Sequence, residues 1–494
     1  MRCHYYETKG EKIQLRVETS QSRFSPFGGM ALYREAINAL RLDSHLDEAI
    51  GIGSTKARQA MSDHEIVESL AAMQILGGNS ANCIERIRGD KVLQALICRI
   101  PSKSTVHYFL AEFDDASQEK LRGQGKSFVP ARNAHLDGFD EVTKHILSFV
   151  SKRVPHTVVT LGQDAALINT KVAGALFNYK KEWSFEALST YCGEYDMMVH
   201  SDFRDGSVTP GFNQLENLKR PLELLPESVK EARLRSDSAG YQKELLEYCA
   251  KGTDKRFKVI RFAVGSKVTD QLKERVSAVP AGEWKKIPGK QHQECADINF
   301  VSSDLCTGKN SPEYRYAAIR EEIGASDPKN AGMMQTVLFK PEDLGGLPVK
   351  SLHPMNMNGK IYKVFAVVTN IMSWSPAHIV NWQRGRCGKS EQIDHVLKEE
   401  LAGGHIVTNT LGANAAWWQI TVLAANLLSF IKRLFLPEAY QNARPKRLLY
   451  EFFCQAARYT SHAGKMAIKV FAAGKESLFA KAAEKIKSFD LLLE

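Results

Sequence analysis

The sequence predicts an α/β protein, and two features of its apolar pattern lead to that prediction. From residue 156 onward, apolar segments predict three strands, a helix, a strand, a helix and a further strand. Before this region, and again after the strand predicted at Ile361–Thr369, apolar residues recur at helical spacing. At 494 residues, the chain is too long for one hydrophobic core, so several structural units are expected.

The N-terminal region, residues 1–125, predicts a set of short helices. Met30–Leu40 carries apolar residues at helical spacing, and Ser62 and Glu65 have the spacing of a capping box that opens another helix. A further helix is expected over Val106–Phe113. Basic side chains between these helices predict DNA binding, although an ordinary solvated helical domain would have the same pattern. They are Arg86, Arg88, Lys91, Arg99 and Lys103.

The predicted sheet region follows, and acidic residues stand just after its first and fourth strands. Tyr179, at the end of the second strand, is expected to be structural. The predicted strands are Val158–Leu161, Ala175–Tyr179, Asp196–Phe203, Arg233–Ser236 and Arg256–Val264, and the helices between them are Asn213–Leu225 and Tyr241–Ala250.

Composition and charge limit the possible functions. The chain is 44% hydrophobic and 25% charged, which excludes disordered, collagen-like and disulfide-scaffold proteins. Its net charge of +10 favours a polyanionic partner. Nine scattered cysteines without a C-x-x-C pair indicate a reducing, cytoplasmic setting and argue against zinc.

One uncharged stretch, Leu401–Phe430, is long enough to span a membrane. It contains Asn414, Gln419 and Asn426, and such polar side chains are costly in hydrocarbon. We therefore expect a helix buried in a soluble core and no membrane contact, with a membrane protein as the remote alternative.

Three carboxylates are the candidate catalytic residues. Asp164 and Asp237 follow predicted strands, and the ends of central strands are where metals and substrates often bind. Glu391 lies on a predicted helix whose spacing puts it on one face with His395 and Lys398. Taken singly, each aspartate would more often be a turn or N-cap residue, and the helix face an exposed polar stripe.

Several ordered motifs give these residues a common meaning. They are Arg386-Cys-Gly-Lys-Ser-Glu391, Ala402-Gly-Gly404, Gly412-Ala-Asn-Ala-Ala-Trp-Trp418, Phe203-Arg-Asp-Gly206 with Gln214-Leu215, and Pro101-Ser-Lys-Ser-Thr105. With Asp164 after a first strand, Asp237 after a fourth and Glu391-x6-Lys398 on a late helix, the chain resembles the bacterial insertion-sequence DDE transposases over roughly residues 25–470.

Two departures from that family are visible. Where its members usually have L-D-x-D-x-T, this chain has Leu161-Gly-Gln-Asp-Ala-Ala166, so Gly162 and Ala166 replace an acid and a threonine. The family's arginine, counted strictly from Glu391, falls on Cys387. The resemblance then assigns the phosphate contact to Arg386 and the role of the family's tyrosine to Trp382.

The resemblance implies an RNase H-like α/β core interrupted by a β-rich insertion domain, with an all-helical N-terminal domain and a helical C-terminal region. The implied units are 1–125 for DNA binding, 150–264 and 361–437 for the two parts of the core, 265–360 for the insertion and 438–494 for a basic helical end.

The resemblance also implies the chemistry. Asp164, Asp237 and Glu391 would hold two Mg²⁺ or Mn²⁺ ions, because three converging carboxylates need a cation and hard cations prefer oxygen ligands. Arg386, Lys389 and Lys398 would contact DNA phosphates. The implied reaction is cleavage at the ends of an insertion sequence and strand transfer into target DNA. Its partners would be double-stranded DNA, with terminal inverted repeats, and a second copy of the chain in a synaptic dimer on the bacterial nucleoid.

Two other functions remain open from the residues alone. A catalytically decayed or domesticated transposase would bind DNA without cutting it, and Gly162 and Ala166 favour that alternative. A general nuclease on the same core would cut without preference for ends.

Overall fold

One large mixed sheet, with helices packed against it, dominates the computed structural model of the chain. The residues that the structure describes are 4–8, 11–15, 24–55, 61–97, 99–124, 128–290, 292–306, 311–323, 354–386, 389–462, 465–472, 474 and 476–490.

The N-terminal region is mainly helical, as predicted, but it also contains strands. The Ser62 capping box is present, and Met30–Leu40 is a helix with the predicted bounds. The expectation of an all-helical region is wrong, because a hairpin precedes the helices and a short strand joins a C-terminal sheet. The elements are β1 (His4–Thr8), β2 (Glu11–Leu15), β3 (Phe24–Ser25), α1 (Met30–Leu40), α2 (Leu42–Ile50), α3 (Ile52–Thr55), α4 (Asp63–Ile75), α5 (Ile84–Arg88), α6 (Lys91–Leu96), α7 (Lys103–Ala111), α8 (Ala116–Leu121) and α9 (Ala134–Ser151).

The central sheet region follows the predicted order of elements, but several bounds differ. The first strand is much longer than the predicted Val158–Leu161, and the last begins at Arg261 rather than Arg256. The predicted strand Ala175–Tyr179 corresponds only to the two-residue β5, and the long strand β6 was missed altogether. The elements are β4 (Val158–Asn169), β5 (Leu176–Phe177), β6 (Trp183–Cys192), β7 (Met197–Asp205), α10 (Gln214–Leu224), β8 (Glu231–Ser236), α11 (Lys243–Ala250) and β9 (Arg261–Gly265).

The register of these strands defines the centre of the fold. β6 pairs antiparallel with both β7 and β4, whereas β8 runs parallel to β4 and β9 runs parallel to β8. The spatial order is therefore β7-β6-β4-β8-β9, with β4 in the middle and most of its inner residues buried. Parallel neighbours bring their carboxyl ends to the same edge of the sheet.

The strands of the following region extend this same sheet. β14 pairs antiparallel with β9, and β12, β11 and β10 continue outward from it, while β13 pairs with β14. In its described part, the region 265–360 therefore has no separate sheet of its own. The elements are α12 (Asp270–Ser277), β10 (Lys285–Lys286), β11 (Gln293–Ile298), β12 (Arg315–Glu322), β13 (Pro354–Met357) and β14 (Lys360–Thr369).

The last part of the chain returns to helices and ends with a hairpin and one more helix. The expected wholly helical C-terminal region is wrong, because β15 and β16 pair with each other as an antiparallel hairpin, and β15 also pairs with β3. The elements are α13 (Pro376–Arg384), α14 (Lys389–His395), a π-helical turn (Val396–Glu400), α15 (Leu411–Leu434), α16 (Pro445–Leu448), a second π-helical turn (Leu449–Phe453), β15 (Ala456–His462), β16 (Lys465–Phe471) and α17 (Glu476–Asp490).

The long apolar helix α15 is buried against the sheet, as predicted. Its polar side chains bond to β7: the Asn426 amide pairs with both backbone groups of Met198, and Gln419 Nε2 donates to the Ser201 carbonyl at 2.6 Å. Buried polar groups need such partners, so these residues specify how the helix docks. None of the described helices combines the length and apolarity that a membrane crossing requires.

Candidate active site on the central sheet

Asp164 and Asp237 come from neighbouring parallel strands at the same level. β4 and β8 pair up to Gln163 opposite Ser236, so Asp164 and Asp237 occupy the next position of this register. β8 ends there, and the Asp237 carboxylate caps a short turn of 3-10 helix by accepting a hydrogen bond of 2.8 Å from the Ala239 backbone N–H. Asp237 is thus both an N-cap and an aspartate at the end of a central strand. Its capping role does not exclude the predicted catalytic role.

Asp164 differs from its prediction, because β4 continues to Asn169 and the carboxylate stands in mid-strand. Its Oδ2 accepts a hydrogen bond from Arg386 Nη1 at 2.7 Å, and that same nitrogen lies 3.3 Å from Ser390 Oγ. Burial raises the pKa of Asp164, Arg386 opposes that rise, and repulsion from Asp237 adds to it. The two aspartates are therefore close enough to interact electrostatically.

Arg386 is buried, although the sequence suggested a contact with DNA. Its Nε has no hydrogen-bond partner in the described part of the chain. Helix α13 precedes it and is fixed to the end of β8, because Arg235 Nη1 donates to the Trp382 carbonyl and Gln383 Nε2 donates to the Ser236 carbonyl. Cys387 and Gly388 of the predicted motif lie outside the described residues.

The helix that carries Glu391 does not keep the predicted common face. α14 ends at His395 and passes into a π-helical turn, which changes the angular spacing of the residues that follow. Glu391 and His395 are exposed, whereas Lys398 turns toward the sheet and its Nζ lies 3.4 Å from the Leu167 carbonyl on β4. The prediction that these three side chains share one face is therefore wrong.

A fourth carboxylate, Asp394, was missed in the sequence. It stands one helical turn after Ser390, which lies beside Arg386, and one turn before Lys398, so it belongs to the helix face that lies over β4. Burial raises the pKa of Asp394 to about 7, and repulsion from Asp164 and then Glu391 contributes, against the effects of Lys398 and Arg386. The signal in the sequence was the i, i+4, i+8 spacing of Ser390, Asp394 and Lys398.

Lys389 has a partner within the protein. Its Nζ lies 3.0 Å from Asp196 Oδ1, and Lys432 Nζ lies 2.8 Å from Asp196 Oδ2. Burial alone would raise the pKa of Asp196, but these two lysines outweigh it and hold the value at about 2. This ion-pair group ties the start of α14 to α15 and to the turn between β6 and β7.

The glycine and tryptophan motifs position the helix rather than the chemistry. A Cβ at Gly403 would meet the Leu397 carbonyl oxygen at 2.9 Å, so the chain can fold back closely only with glycine there. Trp417 Nε1 donates to the Ala402 carbonyl, and Trp418 Nε1 donates to Ser201 Oγ. Together these contacts hold the end of the Glu391 helix between α15 and β7.

The five N-terminal basic residues lie on the surface, but not all are available to DNA. Arg86, Lys91 and Lys103 are exposed. Arg88 Nη1 lies 3.4 Å from Glu85, and the Arg99 guanidinium donates two hydrogen bonds of 2.8 and 2.7 Å to the Glu65 carboxylate.

The site has carboxylate oxygens, which are the donors that a divalent cation prefers, but in the described part of the chain they are not grouped closely enough to hold one. Among the described residues, no three His, Cys, Asp or Glu side chains are grouped so that they could hold a metal ion. However, Asp164, Asp237 and Asp394 are half-buried oxygen donors, and burial together with repulsion from neighbouring carboxylates raises the pKa of Asp164 and of Asp394. A cation would relieve that repulsion, so the residues fit Mg²⁺ or Mn²⁺.

Comparison with known proteins gives two findings. A family model described as "Transposase DDE domain group 1" matches residues 7–306, a stretch that includes Asp164 and Asp237 and ends before Glu391. A solved structure of the piggyBac transposase in a synaptic complex with hairpin DNA is similar at 10% identity and a TM-score of 0.41, over 85% of this chain and 79% of that one. No curated protein sequence matches the chain.

Proposed function

The chain belongs to the family of DDE transposases, and we propose that it cuts the ends of an insertion sequence in a metal-dependent reaction and transfers them into target DNA. The observation that carries this proposal is the shared register position of Asp164 and Asp237 on adjacent parallel strands. The strand order β7-β6-β4-β8-β9 supports an RNase H-like core, with residues 150–264 and 361–437 as its two parts.

Asp164, Asp237 and Glu391 are the proposed catalytic residues and metal ligands, and Mg²⁺ or Mn²⁺ the proposed cofactor, with two ions. Bound there, the ions would activate a water or a 3′-hydroxyl and stabilise the leaving oxygen. The Arg386–Asp164 ion pair occupies one carboxylate oxygen, so a cation bound at Asp164 would compete with the guanidinium for the charge of this carboxylate. Glu391, which is exposed, would have to turn toward β4.

Arg386, Lys389 and Lys398 are the proposed phosphate contacts in the site. The unpaired Nε of Arg386 would be a donor for a phosphate, and Nε and Nη2 of an arginine together can bind phosphate through two parallel hydrogen bonds. Lys398 already lies over β4, next to Asp394. The N-terminal basic residues would bind the terminal repeats in a synaptic dimer.

The test uses DNA that carries the reading frame with its natural flanks, incubated with the full chain and Mg²⁺ or Mn²⁺. We expect cleavage at the outer ends of the flanking inverted repeats, and loss of cleavage with retained binding in Asp164→Ala, Asp237→Ala and Glu391→Ala. Cleavage by Asp164→Ala at the wild-type rate would refute the assignment of this ligand. Binding without any cleavage would favour the decayed transposase, and cleavage without end preference would favour a general nuclease.

A further inference from the structure

An exposed aromatic turn borders the cavity that contains Asp237. The turn joins β5 to β6 and carries Phe177, Tyr179 and Trp183, which are 52%, 56% and 45% exposed. Tyr179 lines a cavity of about 490 Å³ together with Asp237 and the segment Thr209–Phe212. We call Phe177, Tyr179, Lys180, Lys181 and Trp183 the aromatic tip.

The tip is held in shape from inside. Buried Asn178 accepts hydrogen bonds from the backbone N–H groups of Lys180 and Glu182, at 2.8 and 3.1 Å, and its Nδ2 donates to Ser184 Oγ at 3.0 Å. Lys181 adopts a left-handed backbone conformation with φ of 62°, which closes the turn. The aromatic rings are therefore presented by a preorganised turn.

The chemistry of the tip suits unpaired bases. Phe177 and Trp183 pack against each other across the strand pair, with ring centroids 3.8 Å apart and ring planes tilted by 34°, while Tyr179 lines the cavity with Asp237. Exposed aromatic side chains beside lysines match the two parts of a nucleotide, because bases stack on rings and phosphates attract cations. Lys180 and Lys181 are exposed, and Lys180 Nζ lies 5.6 Å from the centre of the Tyr179 ring.

From this juxtaposition, we infer that the aromatic tip stacks unpaired bases of the DNA strand whose phosphate lies at Asp237. This inference rests on the proposed function and adds a substrate feature to it: the duplex is opened next to the cleavage point. By this inference, Tyr179, expected from the sequence to be structural, is a binding residue, since its side chain is largely exposed and lines the cavity with Asp237.

The test compares two labelled DNA probes of one sequence, a short duplex ending in an unpaired fork and the same duplex fully paired. The full chain is titrated into each without metal, and affinity is read by fluorescence anisotropy. A 2-aminopurine as the first unpaired base reports stacking directly. Tyr179→Phe keeps the ring, and Tyr450→Ala removes another exposed tyrosine, 81% accessible, that does not line the cavity.

We expect wild type, Tyr179→Phe and Tyr450→Ala to bind the fork more tightly than the paired duplex and to quench 2-aminopurine. Tyr179→Ala should weaken fork binding about fivefold or more and lose the quenching, with unchanged affinity for the paired duplex. Replacement of both Lys180 and Lys181 by alanine should lower the slope of log fork affinity against log salt by about 1.4 to 1.8, because each lost phosphate contact changes this slope by about 0.7 to 0.9.

Equal fork affinity and quenching in Tyr179→Ala and wild type would overturn the inference and leave the proposed function intact. A change of oligomeric state in Tyr179→Ala without a change in fork affinity would also overturn it, because the tip would then face a second copy of the chain. Failure of wild type to bind either probe would overturn the proposed function itself.

Discussion

Arg386 Nη1 lies 2.7 Å from Asp164 Oδ2, although the two residues are 222 positions apart in sequence. The pair joins the loop before the Glu391 helix to the central strand of the sheet. A cation at Asp164 would compete with this guanidinium for the same carboxylate. Arg386 therefore supplies positive charge beside Asp164, where the proposed metal ions would also bring it.

Replacement of Arg386 by glutamine should separate its competition with a cation at Asp164 from its proposed contact with the DNA phosphate. Without the guanidinium, Asp164 is free to bind Mn²⁺, so we expect metal affinity in the absence of DNA to rise several-fold. Cleavage should nevertheless fall by at least ~10-fold, because a preorganised charge near the reacting phosphate is lost. Electron paramagnetic resonance of free Mn²⁺ measures the first effect, and a cleavage assay with end DNA measures the second.

The matched control is Arg320→Gln, because Arg320 pairs with Glu294 at 2.7 Å in the outer strands, away from Asp164. That variant should leave both measurements unchanged. If Arg386→Gln bound Mn²⁺ no better than wild type did, the competition between arginine and cation would be disproved.

Asp394→Asn tests whether the missed carboxylate belongs to the site. The substitution keeps the shape of the side chain and removes its charge. We expect Mn²⁺ affinity and cleavage both to fall by roughly tenfold, since an oxygen ligand or a close neighbour of one is neutralised. Glu399→Gln, an exposed acid of the π-helical turn, is the control. If Asp394→Asn bound Mn²⁺ as tightly as wild type does, Asp394 would have no part in metal binding.

The order of the central elements could be read from the sequence, but the active-site details could not. Alternation and turn residues revealed β8 and the Asp237 cap, whereas β6 was missed because its residues from Ser184 to Ser189 are buried on both faces and lack alternation. The length of β4 was missed because Gly162 and Asp164 interrupt its apolar run. Asp394 was overlooked because Lys398 was predicted to share the face of Glu391 and His395, whereas it lies over β4 on the face of Ser390 and Asp394.

The N-terminal basic residues are expected to contribute unequally to the binding of end DNA. Lys91 and Lys103 are exposed, whereas Arg99 is held by Glu65. Lys91→Ala and Lys103→Ala should each lower the slope of log affinity against log salt by about 0.9, because one counterion fewer is released from the DNA. Arg99→Ala should change this slope less and lower the melting temperature more. Equal slopes for wild type and all three variants would remove these residues from the DNA interface.

His200 predicts a pH dependence of stability. It is buried between Asp140, 3.0 Å from its Nδ1, and Asp202, 3.2 Å from its Nε2. Burial lowers the pKa of His200, but Asp202 and Asp140 outweigh burial and raise it to about 9. A raised pKa stabilises the fold fully below the unfolded value of about 6.5 and loses its effect as pH rises through 9. The free energy of unfolding should therefore fall by at most ~3 kcal/mol between those pH values.

Denaturant titrations at several pH values measure the slope of the free energy of unfolding against pH. His200→Gln should be less stable at pH 6 and should flatten the slope, while His107→Gln, at an exposed position of α7, should retain it. A pH slope in His200→Gln equal to that of wild type would show that other groups cause it.

Gly162→Asp tests whether the missing acid in the first motif, Leu161–Ala166, limits metal binding and cleavage. Gly162 and Asp164 are two residues apart on β4 and so lie on the same face, and a Cβ at Gly162 would be 3.9 Å from its nearest neighbour, the Tyr191 carbonyl oxygen. The added carboxylate therefore fits without strain and brings a further oxygen ligand toward Asp164. We expect Mn²⁺ affinity to rise several-fold, and Gly162→Asn, which has the same shape without the charge, to behave as wild type does.

Because the wild-type chain keeps Asp164 and Asp237, it should already cleave, and the Gly162→Asp substitution should raise its cleavage rate at low metal concentration only. Cleavage by Gly162→Asp but not by wild type would instead identify the natural chain as a decayed transposase in which this glycine is the lesion.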